Sequence, residues 1–304
     1  MSFSRTTKEE LTRIQLRGER IQQAQLFGLL HSAYCLQKGC MYAISFITET
    51  HAVACSIASL SESLYGTDAE LSLHSTAQKR SPYTEVKLTG SRVKELVLHA
   101  GLLNTNEVSP QQALFEKLRT KEEHRAFLRG VFLSSGSCSN PKRTYHLEIV
   151  CKSEAFALAL CKMMAAHCCE AKTVPRKDRV VVYLKEGDKI AALLAFLGAC
   201  SATLAFEDAR AERELRNYIN RTSNCETANI GKTVYAAGEQ LDAINRILKH
   251  SSYTKLSPVL RETVELRLNY PQASLQELAS IAGVGKSGMN HRLQRLIRLS
   301  RELT

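Results

Sequence analysis

Apolar residues fall along this chain in short blocks whose period changes repeatedly, and the order of those changes occurs twice. Leu26–Tyr34 (LFGLLHSAY) and Phe127–Gly136 (FLRGVFLSSG) are apolar blocks with a central glycine, and both read as helices. A strand pattern follows each, at Tyr42–Ile47 and Tyr145–Val150, and then a helix, at His51–Leu64 and Ser153–His167. Ser153 ahead of Ala155, Phe156, Leu158 and Ala159 marks a capped start. Next come paired strands, Ala69–His74 with Tyr83–Leu88 and Cys168–Val174 with Arg179–Leu184, parted by the polar STAQKRSP and by the turn signal PRKD. A last helix closes each copy, at Ser91–Leu102 and Lys189–Gly198. Segments 26–102 and 127–199 therefore read as two copies of one unit. Their glycine helices are expected to pack against each other, since glycine permits backbones to approach closely.

Downstream the pattern changes to helix alone. Residues 221–254 read as a polar junction, with Asn220, Asn224, Glu226 and Asn229 suited to caps and turns, followed by an amphipathic connecting helix over Gly231–Leu248. Leu260, Val264 and Leu268 mark a first helix of the tail, ended by Tyr270-Pro271. Ser274-Leu-Gln-Glu277 is a capping box that opens a second helix with Leu275, Leu278 and Ala279 on one face, and Gly283 stops it. A third helix turns Met289, Leu293, Leu296 and Ile297 inward. At 100° per residue its outer face then carries Ser287, His291, Gln294, Arg295 and Arg298, flanked by Asn290 and Arg292, with Lys286 at the start. Three helices with a polar, basic outer face read as a helix-turn-helix, the alternative being a small three-helix bundle with a solvated basic face, and Arg, His, Asn and Ser are residue types that reach base edges and phosphates.

Composition supports that direction. Among 304 residues, Lys+Arg number 41 against 30 Asp+Glu, a formal charge of +11 that favours a polyanionic partner, nucleic acid before membrane. From Ser251 to Thr304 there are eight Lys+Arg and four acids. Ten cysteines lack any CxxC pair and lie mostly in apolar runs, which reads as reduced, buried thiols in a cytosolic chain without a zinc site. The start, MSFSRTTKEEL, is too polar for a secretory signal. Ile190–Phe206 is uncharged over 17 residues, but Gly198 and Ser201 interrupt it, so a buried helix, a break and a second element are expected in place of a bilayer span.

The glycine helices resemble degenerate copies of the motif that names the LAGLIDADG homing endonucleases. That resemblance implies an α+β fold, a duplicated saddle domain that grips DNA, followed here by an all-α helix-turn-helix domain. Such nucleases need an acid near the end of each motif to hold divalent metals. Those places carry Ala33 and Ser135, and the earlier acidic positions are His31 and Leu133. The resemblance therefore implies no catalytic residue, no metal and no cofactor. SGMNHRLQRL, RTSNCETANIGKT and FLRGVFLSSGSCSNPKRTYHLEIV together resemble the bacterial WhiA family over essentially the whole chain. Membership implies a non-enzymatic DNA-binding regulator of cell division and chromosome segregation, with sporulation in some bacteria, located in the cytoplasm with the nucleoid. The domains expected are 1–220 for the saddle, 221–254 for the junction and 255–304 for the helix-turn-helix. DNA contacts are expected from Lys286, Ser287, Asn290, His291, Arg292, Gln294, Arg295 and Arg298. Two other readings remain open. One is an interaction scaffold whose saddle binds a protein regulatory partner or ligand and gates the tail, with Lys142, Arg143, Arg176, Lys177 and Arg179 as a second basic surface. The other is an active metal-dependent endonuclease.

Overall fold

The computed structural model describes residues 2–75, 82–102, 115–250 and 252–303. Positions 76–81 of the STAQKRSP linker lie outside the described residues. The chain divides into two compact units, Met1–Arg213 and Glu214–Thr304.

The first unit opens on α1 (Phe3–Thr12) and α2 (Glu19–Leu30), followed by β1 (Tyr34–Lys38), β2 (Met41–Thr48), α3 (His51–Tyr65), β3 (Asp68–His74), β4 (Tyr83–Thr89) and α4 (Val93–His99). The second copy runs α5 (Lys121–Ser135), β5 (Gly136–Cys138), β6 (Leu147–Cys151), α6 (Glu154–His167), β7 (Lys172–Arg176), β8 (Arg179–Leu184) and α7 (Gly187–Leu197). Each copy forms a four-stranded antiparallel sheet, in the order β1-β2-β4-β3 and β5-β6-β8-β7. The duplication is thus a duplication of topology. Ser153 caps α6 as expected, accepting from the Phe156 amide at 3.3 Å.

Three details differ from the sequence reading. The LFGLLHSAY block is not helical to Tyr34: α2 ends at Leu30 and Tyr34 begins β1, a strand the pattern concealed because it is largely solvent-facing and pairs only with β2. Likewise β5 follows directly on the second glycine helix. In PRKD, Pro175 and Arg176 belong to β7, and the turn is Lys177-Asp178, with Lys177 at φ +55°.

The N-terminal α1 was not foreseen, and it has a specific task. Its Glu10 carboxylate accepts from the amides of Ser201 (2.7 Å) and Ala202 (3.0 Å), capping the first turn of α8 (Cys200–Lys249). Gly198, at φ +92°, separates α7 from α8, so Ile190–Phe206 is the broken pair of elements expected. Among the described residues no helix is long and apolar enough to cross a membrane. The ten cysteines are free thiols. Cys138, Cys151 and Cys169 are buried, but Cys40, Cys55, Cys200 and Cys225 are exposed, against the expectation of burial.

The larger correction concerns 221–254. No cap or turn interrupts it before Lys249: α8 is one helix of 50 residues. Its Thr and Asn side chains bond back along the helix instead of breaking it, Thr222 to the Tyr218 carbonyl (3.1 Å) and Thr233 to the Asn229 carbonyl (3.0 Å). In the second unit, a short 3-10 turn (Ser252–Lys255) leads to α9 (Pro258–Asn269), α10 (Leu275–Ile281) and α11 (Lys286–Arg301). Their core, Leu260, Val264, Leu278, Met289, Leu293 and Leu296, is completed by Ile244 and Ile247 of α8. The helical unit therefore draws on residues upstream of position 255.

Candidate nucleic-acid interface

The seam between the two copies is a helix crossing stripped of side chain. A Cβ at Gly28 would stand 2.9 Å from the Val131 nitrogen and closer still to the Phe127 carbonyl oxygen; one at Gly130 would stand 2.8 Å from the Leu29 nitrogen. Backbone meets backbone there. At the end of the crossing, where a nuclease would carry its acids, Ala33 is 2% exposed and His31 is buried. His31 Nδ1–H donates to the Gly28 carbonyl (2.7 Å), and the Ser135 hydroxyl donates to Nε2 (3.0 Å). The ring stacks on Phe156, with centroids 4.9 Å apart. Burial pulls the His31 pKa down to about 4, the Lys152 ammonium pushes the same way, and the Gly28 and Val150 carbonyls recover part. Lys152 also donates to the Ala33 carbonyl and lies over the Tyr34 ring at 4.6 Å. The seam thus ends in a neutral imidazole, the hydroxyls of Ser135 and of Ser134 (3.0 Å from His31 Nδ1), and an ammonium. Among the described residues no cluster of three His, Cys, Asp or Glu could hold a metal, and these donors do not suit a hard divalent cation.

The sheet faces turned away from the helices mix apolar and cationic side chains; by register Lys38 and Lys87 lie on the first and Lys172 on the second. On the first, Tyr34, Leu36, Met41 and Ile47 share one face by register and are all exposed. On the second, Arg176 pairs with Glu148 at 3.7 Å, while Arg179 pairs with Asp178 at 3.5 Å and donates to the Tyr34 hydroxyl at 3.2 Å. Lys142 pairs with Glu212 at 3.7 Å. Of the suggested second basic surface, Lys142, Arg176 and Arg179 are thus matched by acids.

The helical unit is different. Ser274 and Glu277 form the reciprocal capping box expected of α10: the Glu277 amide donates to Ser274 Oγ (3.3 Å), and the Ser274 amide donates to the Glu277 carboxylate (2.7 Å). Those amide and hydroxyl donors hold the Glu277 carboxyl below its ordinary range. Gly283, at φ +65°, ends the turn, and the Val284 amide closes it onto the Ala279 carbonyl (3.0 Å). On α11, Met289, Leu293, Leu296 and Ile297 are buried. Lys286, Ser287, Asn290, His291, Gln294, Arg295 and Arg298 are exposed. Arg292 alone of the expected contact residues is half-buried, lying 3.5 Å from Glu262.

In α9 the sequence reading erred by one position. Leu268 is exposed, and Thr263 and Arg267 face inward with Leu260 and Val264, because the buried stripe follows mixed three- and four-residue spacing. Arg267 is 2% exposed; its Nη1 donates to the carbonyls of Tyr270 (3.4 Å), Pro271 (3.4 Å) and Ala273 (2.8 Å), and burial lowers its pKa. It is therefore a structural cation that fixes the bend before α10. Its place at i+7 from Leu260 was the available signal.

A duplicated α+β unit with a glycine-helix seam, followed by a three-helix tail with a capped turn and a basic outer helix, defines a LAGLIDADG-like domain joined to a helix-turn-helix domain. Two family models match those parts, the WhiA LAGLIDADG-like domain at residues 124–216 and the WhiA C-terminal HTH domain at residues 219–300. The chain is 38% identical over 309 residues to the "Probable cell division protein WhiA" of Desulfitobacterium hafniense, covering 100% of this chain and 96% of that one. It is 37% identical to the protein of the same name from Heliobacterium modesticaldum, covering 97% and 95%. The chain belongs to the WhiA family. Its fold also matches the crystal structure of full-length DUF199/WhiA from Thermatoga maritima, with a TM-score of 0.62 at 22% identity over 99% of both chains.

Proposed function

We propose that this protein is a sequence-specific DNA-binding protein, a transcription regulator of cell division and chromosome segregation, and of sporulation where the host sporulates. It acts in the cytoplasm with the nucleoid and does not cut DNA. The observation that carries the reading is the outer face of α11. His291, Arg295 and Arg298 are exposed there on a helix locked from behind by four buried apolar side chains. Arg295 and His291 are the candidates for base edges, while Lys286, Ser287, Asn290, Arg292 and Arg298 hold the backbone, with Gln294 on the same DNA-facing side. Absence of nuclease activity rests on the uncharged seam end at Ala33 and Ser135 and on the neighbouring Lys152. The test is duplex binding across a salt series with a selected target. Arg295→Ala is expected to cost about 1–3 kcal/mol and relax sequence preference, while Arg298→Ala lowers the salt slope by about one unit. Unchanged affinity, preference and slope in both variants would refute the assignment. Metal-dependent cleavage that persists through purification would revive the nuclease.

A second reading has its own observation. The exposed Tyr34, Leu36, Met41 and Ile47 give the first sheet's outer face an apolar patch, set beside Lys38 and Lys87, that suits a protein partner, which favours a gating role for the first unit. Substituting Leu36 and Met41 with Ser together separates the roles: duplex affinity holds, and any partner-dependent change in it disappears.

A further inference from the structure

The helical unit contains a cleft that the three tail helices alone do not make. It has a volume of about 280 Å³, several times the ~30 Å³ share of one water, and its walls come from α8 (Lys232, Thr233) and from the N-terminal half of α11 (Lys286, Asn290, Gln294). Gln240 and Arg267 also line it. Both are more than nine-tenths buried, at 7% and 2% exposure, and among the described residues Arg267 Nε, a donor that an anion can satisfy, has no hydrogen-bond partner; Gln240 Oε1 has none either, and a half-turn of that carboxamide presents its NH2 to the cleft instead. Buried polar atoms are seldom left unmatched without a reason such as a bound group or water. Among the described residues Lys232 and Lys286 are in no ion pair, so two ammonium groups and the Arg267 guanidinium bear on the cleft. Glu277, which follows the lining residue Gln276, is already held by Ser274.

The same wall continues along α8. At 100° per residue, Arg221, Asn224 and Lys232 lie on one face of the helix. All three are exposed, as is every residue from Glu214 to Lys232. Leu215, Tyr218, Ile219 and Ile230 are exposed on this stretch as well, so among the described residues no core accounts for its residue choice, polar or apolar.

We propose that this cleft seats a phosphate of the DNA backbone beside the segment read by α11, with Lys232 and Lys286 as its cationic walls, and that α8 thereby extends the DNA footprint toward Asn224 and Arg221. The inference rests on the helix-turn-helix reading above and adds a contact from outside that motif. Lys232 is a positioning residue for the backbone and carries no sequence information.

The test uses the full chain, a duplex long enough to pass α8, and a salt series. Lys232→Ala is expected to weaken binding by about three- to tenfold near 0.1 M salt and to lower the salt slope by about 0.9, one phosphate's share. Lys232→Arg restores most of both, and Lys249→Ala, an equal charge loss farther along the same helix, changes neither. If Lys232→Ala matches wild type while Lys286→Ala and Arg295→Ala weaken binding, this inference is overturned and the helix-turn-helix reading stands. Should Lys249→Ala weaken binding as much as Lys232→Ala, the effect is general charge and the site is refuted. If none of these variants changes binding, the DNA-binding reading falls with it. A parallel titration with inorganic phosphate, followed by the amide resonances of Lys232 and Thr233, separates the sources. Saturation below a millimolar with DNA affinity indifferent to Lys232→Ala would make the cleft a free-phosphate site and overturn the DNA assignment.

Discussion

Replacing Gly28 by alanine pits two effects of opposite sign against each other. On helix propensity alone the change stabilises by about 1 kcal/mol. The added methyl, however, would meet the Phe127 carbonyl and the Val131 nitrogen, which are backbone atoms of α5 with no rotamer to yield. Relief requires α2 and α5 to part by roughly 1 Å, a gap that forfeits a quarter to a half of the dispersion attraction along the crossing. Overpacking of one methylene costs about 1–3 kcal/mol even where side chains can adjust. Here the upper end applies, for a net loss of about 2 kcal/mol. In a unit of this size that lowers the melting temperature by about 4–8 °C. Gly130→Ala should behave alike, and the double variant should lose less than the sum, because helices already separated admit the second methyl. The assay is thermal unfolding of the full chain by calorimetry, with Gly238→Ala as control: nothing lies within 4 Å of its added Cβ, so its own unit should gain up to ~1 kcal/mol. A Gly28→Ala protein that melts at or above wild type would refute the account of the seam.

Other outcomes follow from single side chains. His31 has a folded pKa near 4 against an ordinary 6.5, so between those values the unfolded chain binds more protons and stability rises with pH. Acidifying from neutrality to pH 4 should therefore cost roughly 3 kcal/mol through this residue; in His31→Gln, denaturant titrations at several pH values should show that slope flattened, and an unaltered slope would contradict the burial argument. Arg267→Leu leaves the carbonyls of Tyr270, Pro271 and Ala273 without their donor and should destabilise the helical unit by about 3 kcal/mol, with partial recovery in Arg267→Lys. Ile244→Ala, outside the tail as the sequence delimits it, should cost about 2–5 kcal/mol in the same unfolding transition; a negligible loss would mean that α8 is not part of that core.

Legibility in the sequence followed burial. The repeat was readable because each copy alternates elements whose apolar period is set by one packed face, and Ser274 with Glu277 was readable because a capping box is local. β1 escaped because its outer residues, Tyr34 and Leu36, are exposed and apolar, so no alternation separates it from the helix before it. The length of α8 escaped for a related reason. From Glu214 to Lys232 no side chain is buried, the apolar Leu215, Tyr218, Ile219 and Ile230 leave a gap too wide for a continuous stripe, and Asn, Ser and Thr there favour turns unless the helix is anchored elsewhere. Its anchors are remote in sequence, Glu10 at one end and the tail's core at the other. On α11 the exposed face was legible almost residue by residue, because the buried stripe fixes the remaining azimuths; only the tether of Arg292 to Glu262 depended on a helix packed from elsewhere.

The side chains at the end of the glycine seam also bear on reversibility. Restoring a metal centre would take an acid at Ala33, another at Ser135 and relief from Lys152, and none of these steps is favourable by itself. A lone carboxylate at position 33 would be buried at a site now 2% exposed and would find the Lys152 ammonium before any cation. One at position 135 would remove the hydroxyl that His31 Nε2 accepts from and set a charge beside a ring held neutral. Only the combined change could succeed, so mutation in small steps has an uphill path in every direction. The crossing of α2 and α5 depends on none of these side chains, because its contact is backbone to backbone at Gly28 and Gly130.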